Sequence, residues 1–133
     1  MAQGKVAAIR SDLDIVIART LARDTAKTLG FGAIDQARIA TAVSELARNI
    51  FLYAGSGSVT VREIERTGRK GIEIICEDQG PGIADISLVM QDGYSTSRGM
   101  GMGLPGAKRL MDEFDIKSSE GTGTTIICRK WRT

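Results

Sequence analysis

The sequence contains no histidine among its 133 residues. That removes the commonest general base, the commonest metal ligand and any histidine phospho-acceptor, so acid–base chemistry here falls to a carboxylate. Neither sign of charge dominates. Eighteen Lys and Arg stand against 16 Asp and Glu, a net charge of +2, too little to suggest nucleic-acid binding by itself. No apolar run approaches the ~20 residues that span a membrane, and residues 1–10 lack the apolar centre and small-residue cleavage site of a signal peptide. Cysteine occurs only twice, as Cys76 and Cys128, both in strand-like runs and without metal-ligand spacing. They read as reduced core residues of a cytoplasmic protein.

What is present is ordinary for one globular domain. The mass is 14.2 kDa, with 42% hydrophobic and 26% charged residues. With no internal repeat and no linker, residues 1–133 read as a single domain. The basic clusters Arg66–Arg69–Lys70 and Arg129–Lys130–Arg132 read as solvated surface.

The order of elements follows from periodicity and breakers. Residues 5–10 form a strand. Ser11 and Asp12 offer N-cap chemistry to a helix reaching about Leu29, with Leu13, Ile17, Leu21, Thr25 and Leu29 along one side. Gly30 stops it. Asp35 can cap a second helix whose apolar stripe is Ile39, Val43, Leu46, Ile50 and Tyr53, ended by Gly55 and Gly57. Two strands rich in Val and Ile, 58–65 and 71–77, join through a turn at Thr67 and Gly68. A short helical piece covers 85–90, a loop of Gly, Ser, Thr and Met covers 93–103, and a third helix runs from 104 to about 114. The chain closes with a strand near Ile116, a turn at Gly121–Gly123 and a strand over 124–131. The expected fold is α+β: a two-layer sandwich of a mostly antiparallel mixed sheet with helices on one face.

Three places hold candidate chemistry. On the second helix, Glu45 and Asn49 are four residues apart and stack on one side. They lie roughly 80–120° from the centre of the apolar stripe, on its shoulder, while Thr41, Ser44 and Arg48 point more directly to water. A carboxylate and an amide there can face a cleft, or can simply be solvated. Asp78 ends a buried-looking strand within EDQGPGI (77–83), where it can accept a hydrogen bond from an amino group; Gly80 and Gly82 allow a tight turn and close approach to a flat ligand. The bland reading is a polar turn. Finally, Gly99, Gly101 and Gly103 alternate with Met before a helix with Pro105 in its first turn. Free N–H groups and the dipole at such a start suit phosphate, and the preceding loop can serve as a lid.

Two familiar phosphate motifs fail. Gly101 to Gly106 fits G-x-G-x-x-G, but a polar loop precedes it where a dinucleotide fold needs a strand. The P-loop pattern fails because Ala107 separates Gly106 from Lys108, and no Ser or Thr follows the lysine.

Taken in order, these motifs resemble the ATP-binding (Bergerat-type) fold shared by gyrase, the Hsp90 chaperone, histidine kinases and the MutL repair protein, over nearly the whole chain. SELARN (44–49) resembles the family's helix box, EDQGPGI its first glycine box, SRGMGMGLPG (97–106) its second and GTGTT (121–125) its last. Within that family, VSELARN, YAG (53–55), EDQGPGI and GLPGAKRLMDEF (103–114) look most like the bacterial switch kinases and anti-sigma factors, in particular the serine/threonine switch kinases of the stressosome. The resemblance implies ATP and Mg²⁺ as cofactors. Asn49 would ligate the metal, Asp78 would accept from the adenine amino group with Gly80 and Gly82 beside the base, and Thr124 would support the base through a water. Gly99, Gly101 and Gly103 would wrap the phosphates, with Arg98 as the lid's candidate for the γ-phosphate. Glu45 would be the catalytic base. Because the segment 94–98 has no lysine, the γ-phosphate cation stays open. The implied partners are a STAS-domain antagonist protein as substrate and a PP2C-type phosphatase that the freed kinase activates. Two other functions compete: a nucleotide-gated, anti-sigma-like binding module with little turnover, and a simple ATPase with Glu45 activating water.

Overall fold

The computed structural model describes residues 4–80, 103–119 and 121–133. Among these residues the centre is a five-stranded sheet in the order β1-β2-β3-β5-β4, made of β1 (Lys5–Ile9), β2 (Gly57–Arg66), β3 (Arg69–Asp78), β4 (Glu113–Ser119) and β5 (Gly123–Trp131). Every pairing among these strands is antiparallel. The β2–β3 hairpin closes on Thr67 and Gly68, with φ of 51° and 80°. Positive φ at both central positions gives the turn whose twist matches its strands.

Alternation divides the sheet into two unlike faces. Val59, Val61, Ile72, Ile74, Cys76, Ile126 and Cys128 are buried on the helix side. Both cysteines are free thiols there. Burial pushes the Cys76 thiol well up and the Cys128 thiol up to about 12, so neither is a nucleophile at neutral pH. The opposite face carries a row of charge. Glu73 pairs with Arg62 and, at 2.7 Å, with Arg129; Arg129 and Arg66 then reach Glu113 at 3.1 and 2.8 Å. The Trp131 indole donates to Glu113 at 2.7 Å, the main cause of that carboxyl lying below its usual range.

Against the apolar face, the described residues form three helices: α1 (Asp12–Thr28), α2 (Ala33–Ala54) and α3 (Gly103–Leu110). Ser11 caps α1, accepting from the Asp14 N–H at 3.4 Å, and Gly30 follows its end at φ 91°. The expected face of α1 is buried only toward its C-terminus, where Leu29 is buried and Leu21 packs against the core. Ile15, Ala18, Ala22 and Ala26 pack inward, whereas Leu13 and Ile17 are 67% and 49% exposed. Alanines let α1 approach α2 closely, and that small-residue stripe outranks the larger one. On α2 the expected residues Ile39, Val43, Leu46 and Ile50 are buried, and Tyr53 falls outside the core. The helix starts two residues before Asp35, with Gly32 at the N-cap, so Asp35 acts in the first turn by charge rather than as the cap.

The third helix is shorter than expected. It ends at Leu110, and Phe114 belongs to β4. The cause lies in β5: the Asp112 N–H donates to the Arg129 carbonyl at 2.9 Å and the Asp112 carboxylate accepts from the Trp131 N–H at 2.8 Å, which draws the chain into the sheet. The C-terminal basic cluster is also less solvated than expected, since Arg129 is half-buried and Lys130 buried.

Candidate nucleotide-binding site

The site is assembled where the C-terminal half of α2 meets the end of β3. In the sheet, Asp78 lies opposite Gly57 on β2 and Thr124 on β5, with Ser118 beyond. By alternation from Cys76 and Ile126, Asp78 and Thr124 share the helix-facing side. They continue the core row with polar groups at the point where the core ends.

The surroundings of Asp78 are tight. A Cβ at Gly57 would come within 2.4 Å of the Glu77 carbonyl and 2.7 Å of Ile50 Cγ2. At Gly80 it would meet Ala54 Cβ at 2.6 Å, and at Gly123, where φ is +87°, it would meet the Asp78 carbonyl at 2.2 Å. Glycine at these positions brings the strand ends and α2 together around one half-buried carboxylate. Oδ1 of Asp78 accepts from the Gly80 N–H at 2.9 Å, fixing the rotamer. Its other oxygen takes no hydrogen bond among the described residues, so it remains able to receive an amino group. Thr124 is held in turn, its Oγ1 2.8 Å from Ser118 Oγ, which also bonds the Gly123 carbonyl at 2.9 Å.

Glu45 and Asn49 are both half-buried, one turn apart on α2. Ala54 and Ile50 mark the end of the helix nearest Asp78, because they touch the Gly80 and Gly57 positions. From Ala54, Asn49 lies about 7 Å and Glu45 about 14 Å back along the axis, at ~1.5 Å per residue. Along α2, starting from the end beside the Asp78 carboxylate, an amide comes first and then a second carboxylate. Asn49 supplies a hard, neutral oxygen of the kind that Mg²⁺ accepts while drawing its other ligands from phosphates and water.

Ser44 corrects the expected polar face. It is buried, and its hydroxyl has no hydrogen-bond partner among the described residues. The helix has α1 on one side and α3 on the other, so small residues beside its apolar stripe are covered too. Gly103 opens α3, and Pro105 lies in its first turn as expected. Gly82, Arg98, Gly99 and Gly101 lie outside the described residues, as do the short helical piece at 85–90 and the lid before Gly103. Sequence reasoning missed Gly57 and Ser118. Their roles arise from strand register across 21 and 6 residues of chain, and nothing local announces them.

Comparison with known proteins places the chain in a family. Residues 34–132 match the family described as histidine kinase-, DNA gyrase B- and HSP90-like ATPase. The chain is 60% identical over 123 residues to the serine/threonine-protein kinase RsbT of Bacillus subtilis, covering 92% of each chain. It is 32% identical over 120 residues to the anti-sigma F factor of Caldanaerobacter subterraneus, covering 86% of this chain and 82% of that one. Among solved structures, the RsbU and RsbW domains of a Mycobacterium tuberculosis protein superpose with a TM-score of 0.65 at 18% identity. That alignment covers 99% of this chain but 34% of the other, so it speaks for the fold alone.

Proposed function

We propose, since this chain belongs to the family of histidine kinase-, DNA gyrase B- and HSP90-like ATPases and is 60% identical over 123 residues to a serine/threonine-protein kinase, that its site transfers the γ-phosphate of ATP to a serine or threonine hydroxyl with Glu45 as the base. The activity class is that of an ATP-dependent serine/threonine protein kinase. The observation that carries the residue assignment is the order on α2. Asp78 beside Ala54, Asn49 about 7 Å along and Glu45 about 14 Å along follow the order of base, phosphates and γ-phosphate in the nucleotide.

In this reading the free oxygen of Asp78 accepts from the adenine amino group, with Gly80 and Gly82 allowing the base to lie close and Thr124 supporting it. Asn49 holds Mg²⁺, which when bound neutralises charge on the phosphates. Gly99, Gly101 and Gly103 wrap the phosphates, with Arg98 as the candidate cation. Glu45 orients the acceptor hydroxyl and takes its proton as the oxygen attacks phosphorus and the bond to the bridging oxygen of ADP breaks. Such transfer depends on positioning and charge neutralisation more than on covalent chemistry by the protein. The substrate in this proposal is a STAS-domain antagonist protein in the bacterial cytoplasm. A PP2C-type phosphatase is the target that the released kinase switches on.

The test is Glu45→Ala, with ATP affinity and phosphorylation of a STAS-domain protein measured on the same preparation. A positioned base contributes about 10²–10⁴-fold in rate and little to nucleotide affinity. The expected outcome is loss of phosphorylation with ATP affinity kept. Loss of both would make Glu45 structural. Loss of neither would favour the nucleotide-gated binding module, the reading that the anti-sigma F similarity supports.

A further inference from the structure

Lys130 lies on the helix-facing side of β5, opposite Ile72, and is only 7% exposed. Lysine rarely occupies such a place unless its ammonium is paired. The partners of Lys130 come from three elements. Its Nζ donates to the Leu110 carbonyl at 2.9 Å and stands 3.6 Å from Asp112 Oδ1 and 3.9 Å from Asp35 Oδ1. Leu110 is the last residue of α3, where unpaired carbonyls form the negative end of the helix dipole. Asp35 is in the first turn of α2. One buried cation thus joins the end of α3, the start of α2 and the last strand.

We infer that Lys130 is a positioning residue for the phosphate-binding end of α3. This rests on the reading of Gly103 and the glycines before it as the phosphate side of the site. The helix has eight residues, about 12 Å of rod at ~1.5 Å per residue. A helix this short does not hold itself and takes its placement from its neighbours. Leu104 and Ala107 bury the helix in the core, and the tether at Leu110 adds a second fixed point; together they set the direction in which its N-terminal end points. Stability alone gives little reason for a charged network here, because well-packed apolar residues often replace a whole buried network without loss. Removing the lysine alone takes a donor from the Leu110 carbonyl but leaves the carboxylates partnered: Asp35 keeps Arg38 at 3.0 Å, and Asp112 keeps the Trp131 N–H.

The experiment compares binding of ATP and of adenosine to the full chain and to Lys130→Met, with thermal melting alongside. Losing a charge-assisted tether should weaken ATP about tenfold while adenosine, held at Asp78, binds as before; the melting temperature falls modestly, because the Leu110 carbonyl loses its donor. Lys130→Arg, which keeps charge and donors, should recover most of the ATP affinity. If Lys130→Met folds poorly, Lys130→Gln, too short to reach Leu110, carries the same expectation. Equal ATP affinity in variant and parent overturns the inference. Parallel loss of ATP, adenosine and melting temperature overturns it too, by making Lys130 merely structural. A parent chain that binds ATP no better than adenosine would instead sink the phosphate-site reading beneath it.

Discussion

Helices α1 and α2 look alike as sequence, each with large apolar residues at three- and four-residue intervals, yet they use those residues oppositely. In α2, Ile39, Val43, Leu46 and Ile50 are buried, along with the small residues Ala40, Ala42, Ser44 and Ala47 beside them. In α1 the core receives Ile15, three alanines and part of Leu21, and Leu13, Val16 and Ile17 remain exposed. The difference follows from position. α2 lies between α1 and α3 over the sheet and must bury most of its circumference; α1 flanks it and buries one narrow stripe. Glu45 and Asn49 sit half-buried at the edge of that covered face. A helix held by the sheet and by helices on both flanks is a rigid platform for groups at such an edge.

That contrast should appear in stability. Leu46 is 1% exposed, and Leu46→Ala should cost about 2–5 kcal/mol by leaving a cavity in the middle of the core. Urea unfolding measures it; a cost below about 1 kcal/mol, under the usual range for a buried leucine, would mean that α2 is not the central element. The next effect concerns the alanine stripe. Ala22 is fully buried, and Ala22→Leu should destabilise by about 1–3 kcal/mol because added methylenes have no room. If Ala22→Leu proved neutral or stabilising, there would be slack between α1 and its neighbours, and the case for close approach would weaken.

Much of the architecture is legible in the sequence. Ser11, Gly30, Gly55 and the Thr67–Gly68 turn each punctuate the chain by local chemistry, and each boundary lies within a residue or two of its expected place. The site is legible in part: the spacing of Glu45 and Asn49 and the strand-end place of Asp78 are local features. What local chemistry misses are questions settled by distant partners. Periodicity alone cannot decide whether leucines or alanines face inward, and that choice misplaces the N-terminal half of the stripe on α1. Phe114 reads as helix until Arg129 and Trp131 capture Asp112. Lys130 reads as solvent-facing until β5 is paired with β3 and its alternation turns the side chain toward the helices.

The smallest expected effect is the sharpest check on the contrast between the helices. Leu13→Gln and Ile17→Gln replace large apolar groups that are 67% and 49% exposed by a residue that suits a helix about as well as the original. Surface changes away from caps and networks usually fall within about 0.5 kcal/mol. Each substitution should therefore leave urea unfolding almost unchanged, while the same replacement at Ile39 or Leu46 of α2 should be severe. The measurement is unfolding of both single variants at low protein concentration, with the slope compared to the parent. A cost of about 2 kcal/mol or more at Leu13 or Ile17 would be that of removing a buried side chain. The outer face of α1 would then be covered in solution, and α1 and α2 would not differ in the way described.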